Sequence, residues 1–110
     1  MKRLTPLVAA LLLAGCNSLG WGPDEVERSF PYKAEIAVDE NQSDLAISVA
    51  APPGVTVDIV REAARYQVTR HCLQTFGDSD ADWQIDPATG DWAYTRTPDA
   101  MIFRARCQGR

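Results

Sequence analysis

The sequence has one histidine, three cysteines and no run of basic residues, and each shortage excludes something. A nucleophile activated by histidine has only His71 to draw on. Cys72 follows it directly, but adjacent residues on a helix do not face each other. A zinc site from His71, Cys72 and Cys107 lacks a fourth ligand. Fifteen acidic residues stand against eleven basic ones, for a net charge of −4. Without a basic stripe nothing gathers phosphates, which argues against a nucleic-acid partner. There is no glycine-rich phosphate loop, and no apolar run reaches the roughly 20 residues that span a bilayer. No cofactor is expected, and no catalytic residue is assigned.

The first residues carry the most specific pattern. Lys2 and Arg3 precede the apolar run Leu7-Val8-Ala9-Ala10-Leu11-Leu12-Leu13, and small Ala14 and Gly15 precede Cys16. A charged start, a short apolar stretch and a small-residue cleavage site make a secretory signal. Leu13-Ala14-Gly15-Cys16 resembles the lipobox of bacterial lipoproteins at all of its positions. The resemblance covers residues 1 to 16 only and implies nothing about the fold beyond them. It implies that Cys16 is alkylated by diacylglycerol, becomes the first residue after cleavage and is then acylated, palmitate being one such chain. Two or more chains anchor a protein stably, whereas one does so only marginally. It also implies a place in the bacterial cell envelope, held to the membrane through Cys16. Asn17, not Asp, follows the cysteine, which leans towards the periplasmic side of the outer membrane.

Removal of residues 1 to 15 takes Lys2 and Arg3 away and leaves a more acidic domain. It also leaves Cys72 and Cys107 as a pair in an oxidising compartment, where one disulfide is expected. The alternative is two buried free thiols. A loop of about 35 residues closed in this way is worth about 3–4 kcal/mol in the chain-entropy account.

Residues 16 to 31 read as a lipidated, flexible tether, broken by Gly20, Gly22, Pro23 and Pro31. Trp21 would sit at the headgroup level or against the domain. Residues 32 to 110 read as one domain. Tyr32 to Val38 and Leu45 to Ala50 alternate apolar and polar around a polar turn, as a hairpin does. Val57 to about Phe76 reads as a helix, with Val60, Ala64, Val68, Cys72 and Phe76 in one stripe. Ile59, Tyr66 and Leu73 form a second line that would widen its buried sector. Thr56 offers an N-cap oxygen and Gly77 a C-terminal stop. Trp83 to Ile85 and Trp92 to Arg96 read as a second hairpin around Asp86-Pro87-Ala88-Thr89-Gly90-Asp91. Met101 to Cys107 is the last strand. The order β-β-α-β-β-β predicts an α+β fold: a small antiparallel sheet with one amphipathic helix on one face. Cys72 on the inward stripe of the helix and Cys107 on the inward face of the last strand would then meet.

Two further groups are candidates. Asp78, Asp80 and Asp82 alternate after the helix, a spacing that calcium sites favour. Against this, Trp83 stands where the sharp-turn glycine of such a loop belongs, and Thr89 where its bidentate glutamate belongs. Aspartates in turns more often close Asx-turns. Trp83, Trp92 and Tyr94 on one hairpin would either fill the core or present a surface that stacks on a sugar or a protein. Arg104 and Arg106, beside Arg96, read as a solvated face or edge protection. The expectation is a lipid-anchored, non-enzymatic binding or accessory domain, partnered by an envelope protein or a cell-wall polymer. The alternatives are a purely structural envelope lipoprotein and a hydrolase or metal-dependent enzyme.

Overall fold

The computed structural model describes residues 23 to 109. The signal segment, Cys16 and Trp21 lie outside the described residues. The fold is α+β. The elements are α1 (Pro23–Arg28), β1 (Ala34–Val38), β2 (Asp44–Val49), α2 (Val57–Phe76), β3 (Ala81–Trp83), β4 (Tyr94–Arg96) and β5 (Met101–Cys107). All five strands join one antiparallel sheet, in the order β1-β2-β5, with both β3 and β4 on the far edge of β5.

Register follows from which residues must leave water. On β2, Leu45, Ile47 and Val49 are buried and alternate with half-buried Asp44, Ala46 and Ser48. On β5, Met101, Phe103, Ala105 and Cys107 are all buried. Ile47 pairs with Phe103, and Val49 with Met101. A one-residue slip would turn every one of these side chains to the opposite face, so the apolar alternation holds the register. The face away from α2 carries Ser48, Ile102, Arg104 and Arg106, and Arg106 pairs with Asp44 at 3.3 Å.

α2 runs over the expected residues and packs on β1, β2, β3 and β5. Its buried residues are Val60, Ala63, Ala64, Gln67, Val68 and Cys72. The buried sector therefore widens towards Ala63 and Gln67. Of the second line it takes in only Tyr66, which is half-buried against Phe30, whereas Ile59 and Leu73 are each 51% exposed. Gly77 ends the helix at φ 78°, donating its N–H to the Leu73 carbonyl. That left-handed position suits glycine, which has no Cβ to clash. The expected Thr56 cap is absent: its backbone is extended, but its side chain makes no capping hydrogen bond. Arg96 holds this end of the helix instead. It donates to the carbonyls of Ala51 at 2.6 Å and Val55 at 3.1 Å. Arg96 aligns with buried Met101, so it points to the helix side of the sheet and not to a strip with Arg104 and Arg106.

The Cys72–Cys107 disulfide is present, with the Cα atoms 5.5 Å apart, and ties α2 to β5. The Pro23 to Pro31 half of the expected tether is not featureless. α1 forms there, and Glu27 accepts hydrogen bonds from Gln67 at 3.3 Å and Arg70 at 2.9 Å. Phe30 packs against Tyr66, ring centroids 5.8 Å apart. Domain packing thus begins before Tyr32, through side chains that composition alone reads as solvated.

The second hairpin is present at its tip, where Ile85 bridges Trp92 around the expected turn, and differs from expectation beyond it: β3 and β4 do not pair with each other. Trp83 aligns with Ala105 and Tyr94 with Phe103, so both strands lie along the single edge of β5. Residues 84 to 93 leave that edge and return to it. Within them Ile85 bridges Trp92, the Ala93 N–H bonds the Gln84 carbonyl and the Asp86 N–H the Asp91 carbonyl, both at 2.8 Å, while the Gln84 N–H still reaches the Arg104 carbonyl of β5 at 3.0 Å. The Trp-led segment is an arm thrown out from an edge strand. β5 is seven residues long, enough to receive a three-residue strand at each end.

Candidate binding cleft

The arm is held by aromatic stacking. Trp83 and Trp92 stack with centroids 3.7 Å apart and planes within 5°. Trp92 meets Phe103 edge-on at 5.7 Å. Arg61 and Arg65 of α2 place their guanidinium carbons 4.8 Å and 5.6 Å from the Trp92 ring centroid. Flat cations over an indole are attracted by its ring quadrupole. Trp92 is therefore core, at 8% exposure, while Trp83 is half-buried and Tyr94 is 48% exposed. The three aromatics considered for a binding surface are thus brought together but divided by burial: only Tyr94 presents a large open surface.

Arg61 adds a polar clamp. It donates to both carboxylate oxygens of Asp91, at 3.1 and 2.9 Å, and to Asp58 at 3.0 Å. Forked guanidinium–carboxylate geometry is directional as well as charged. The hydrogen bond from Arg61, followed by that from the Trp92 N–H, holds the Asp91 carboxyl below its ordinary value of 3.8. The hydrogen bonds to Asp91 and then Asp58 push the Arg61 guanidinium further up. The tip of the arm is wound tightly: Asp86 Oδ1 accepts from Ala88 N–H, and the Asp86 carbonyl from Thr89 and Gly90 N–H.

A charge-paired Asp91 is stabilising above its unfolded value and loses that contribution as pH falls through its lower folded value. Asp91→Asn should therefore lower the Tm by a few degrees at neutral pH. The gap to the wild type should begin to narrow as pH falls below the ordinary value of 3.8 and close once pH passes the lower folded value, where the folded carboxylate is protonated too. Paired thermal melts across pH 2 to 7 measure this.

Between the arm and the start of α2 lies a cleft of about 710 Å³. Asp58, Asp86, Thr89, Asp91, Tyr94 and Arg96 line it, with Gly54 and Thr56 on the side of the loop leading into α2. Gly54 has φ 96° and open space where a side chain would project. Arg61, Asp58, Asp86 and Arg96 are not marked by any local sequence signal. Asp58 and Arg61 are three apart on a helix, but the partner of Arg61 lies 30 residues away.

The other candidates lie elsewhere. Asp78 Oδ1 accepts from the Asp80 N–H at 2.9 Å, an Asx-turn, and Asp82 accepts from Gln108 at 2.7 Å. Among the described residues, no group of three His, Cys, Asp or Glu side chains is arranged to hold a metal ion. His71 Nε2 lies 2.7 Å from the Gln42 carbonyl, the geometry of an Nε2–H donor. Cys72 is spent in the disulfide and supplies no thiolate.

Fold and cleft together define a two-layer α+β domain with an edge-strand arm clamped to its helix. No protein-family model matches the chain, and neither a curated protein nor a solved structure matches it.

Proposed function

We propose that this protein is a lipid-anchored cell-envelope lipoprotein whose domain is a non-enzymatic binding module facing the periplasm. The anchor rests on Leu13-Ala14-Gly15-Cys16 and the signal pattern before it. The binding role rests on one observation above the others: the cleft beside the arm is preformed. Arg61, Asp91 and Trp92 fix the arm to α2 from within the protein. A site ordered in advance loses less entropy when it binds. The residues that would otherwise suggest nucleophilic chemistry have structural roles, with Cys72 bridged and His71 bound to a carbonyl. Outer-membrane placement follows from Asn17 under the lipoprotein reading.

Cells fed labelled palmitate test the anchor. The wild type should take up label and fractionate with membranes, and Cys16→Ser should lose both. Undiminished label on Cys16→Ser would remove the lipoprotein reading.

A further inference from the structure

The geometry points to a ligand class for the cleft: a neutral glycan, with one sugar ring stacked on Tyr94 and its hydroxyls bonded by Asp86, Asp91 and Thr89. This rests on the binding reading and sharpens it. Tyr94 carries the inference. It aligns with Phe103 on the helix-facing side of the sheet, where Phe103 is 0% exposed, yet Tyr94 is 48% exposed. An aromatic ring at an inward position is thus left uncovered. Phe103 supports it at 5.9 Å, and it lines the cleft. A ring fixed on one side and open on the other is a stacking platform.

The polar groups around it suit hydroxyls. A carboxylate accepts about four hydrogen bonds. Asp91 takes two from Arg61 and one from the Trp92 N–H, and Asp86 Oδ1 takes one from the Ala88 N–H, so both retain acceptor capacity. Thr89 Oγ1 accepts from the Asp91 N–H, and its own proton is left to donate. The charge balance disfavours anions. Asp58, Asp86 and Asp91 line the cleft with one cation, Arg96, whose guanidinium is directed to the Ala51 and Val55 carbonyls, and Arg61 beside them is engaged by Asp58 and Asp91. Three carboxylates against two cations leave the wall negative by one charge, with both guanidinium groups already bonded when a phosphate or uronate arrives. The volume, about 710 Å³, lies within the usual range of small-ligand sites.

The test uses the full chain in a non-glycosidic detergent, titrated with tetramers of N-acetylglucosamine and of glucose while tryptophan fluorescence is followed. Saturable binding of at least one tetramer is expected. Tyr94→Ala and Asp86→Asn should each weaken it at least tenfold with little change in Tm, and a sulfated tetramer should not bind. Binding that survives Tyr94→Ala unchanged would overturn the proposal, as would failure of both neutral tetramers. A benzoylphenylalanine at position 94, irradiated in cells, separates the two levels. If the tetramers fail but that position crosslinks to a protein, the glycan is wrong and the binding cleft stands. If both fail, the binding reading falls with it.

Discussion

Replacing Cys72 and Cys107 together by alanine should destabilise the domain by about 3–4 kcal/mol, read as a lower urea midpoint with little loss of slope. The bridge closes a loop between positions 35 apart in sequence, and that loop contains most of α2's exit, the acidic turn, β3, the arm and β4. Without it the unfolded chain gains the freedom of that whole stretch. Both sulfurs are also fully buried between α2 and β5, so the alanine pair leaves a small void at the helix–sheet contact. The wild type unfolded with a reductant present should match the double variant. An unchanged midpoint in both would mean that the bridge does not form in the protein as produced.

Trp92→Ala should cost a similar amount, about 3–5 kcal/mol. Trp92 is the one residue that touches each support of the arm: Trp83 stacked on it, Phe103 at its edge, and Arg61 and Arg65 above it. Its removal should also act locally. The Ala93 N–H, which bonds Gln84, and the Asp86 N–H, which bonds the Asp91 carbonyl at 2.8 Å, should lose hydrogen-exchange protection together. Ile47 and Phe103 lie in the centre of the sheet, and their amides should keep protection relative to the new global stability. Trp92→Phe should recover part of both effects by restoring a ring between Trp83 and the guanidinium groups. If Trp92→Ala lowers global stability without exposing the arm, then the arm is not held in the manner described.

These two residues also show what the sequence makes legible. The disulfide follows from counting under the lipobox reading: setting Cys16 aside leaves two cysteines, and each lies on the inward side of its own periodic element. α2 is legible from its spacing-four stripe and from Gly77, both local signals. β1 and β2 are legible from alternation around a polar turn. The arm is legible only at its tip, where Ile85 meets Trp92 around the expected turn. Alternation around Trp83 and Trp92 says that each segment is extended, but nothing local says that their outer parts will line β5 instead of continuing the hairpin. The same limit hides Arg61. A helical arginine three residues from an aspartate reads as a surface pair, and its forked bond to Asp91 exists only once the arm has folded back. Tyr94 was legible as an aromatic on a strand. Its exposure was not, because exposure depends on how far α2 and its leading loop reach over the sheet. α1 escaped for a related reason: a proline-led, charged stretch reads as tether until Glu27 and Phe30 find Gln67, Arg70 and Tyr66.

Binding through the cleft from a membrane tether is tested most directly by photocrosslinking in living cells, with benzoylphenylalanine placed at Tyr94 in the full chain and, as a control, at Arg104 on the opposite sheet face. A discrete adduct from position 94 is predicted, absent from position 104 and reduced when Arg61→Ala unclamps the arm. No adduct from position 94, or equal adducts from both faces, would contradict it.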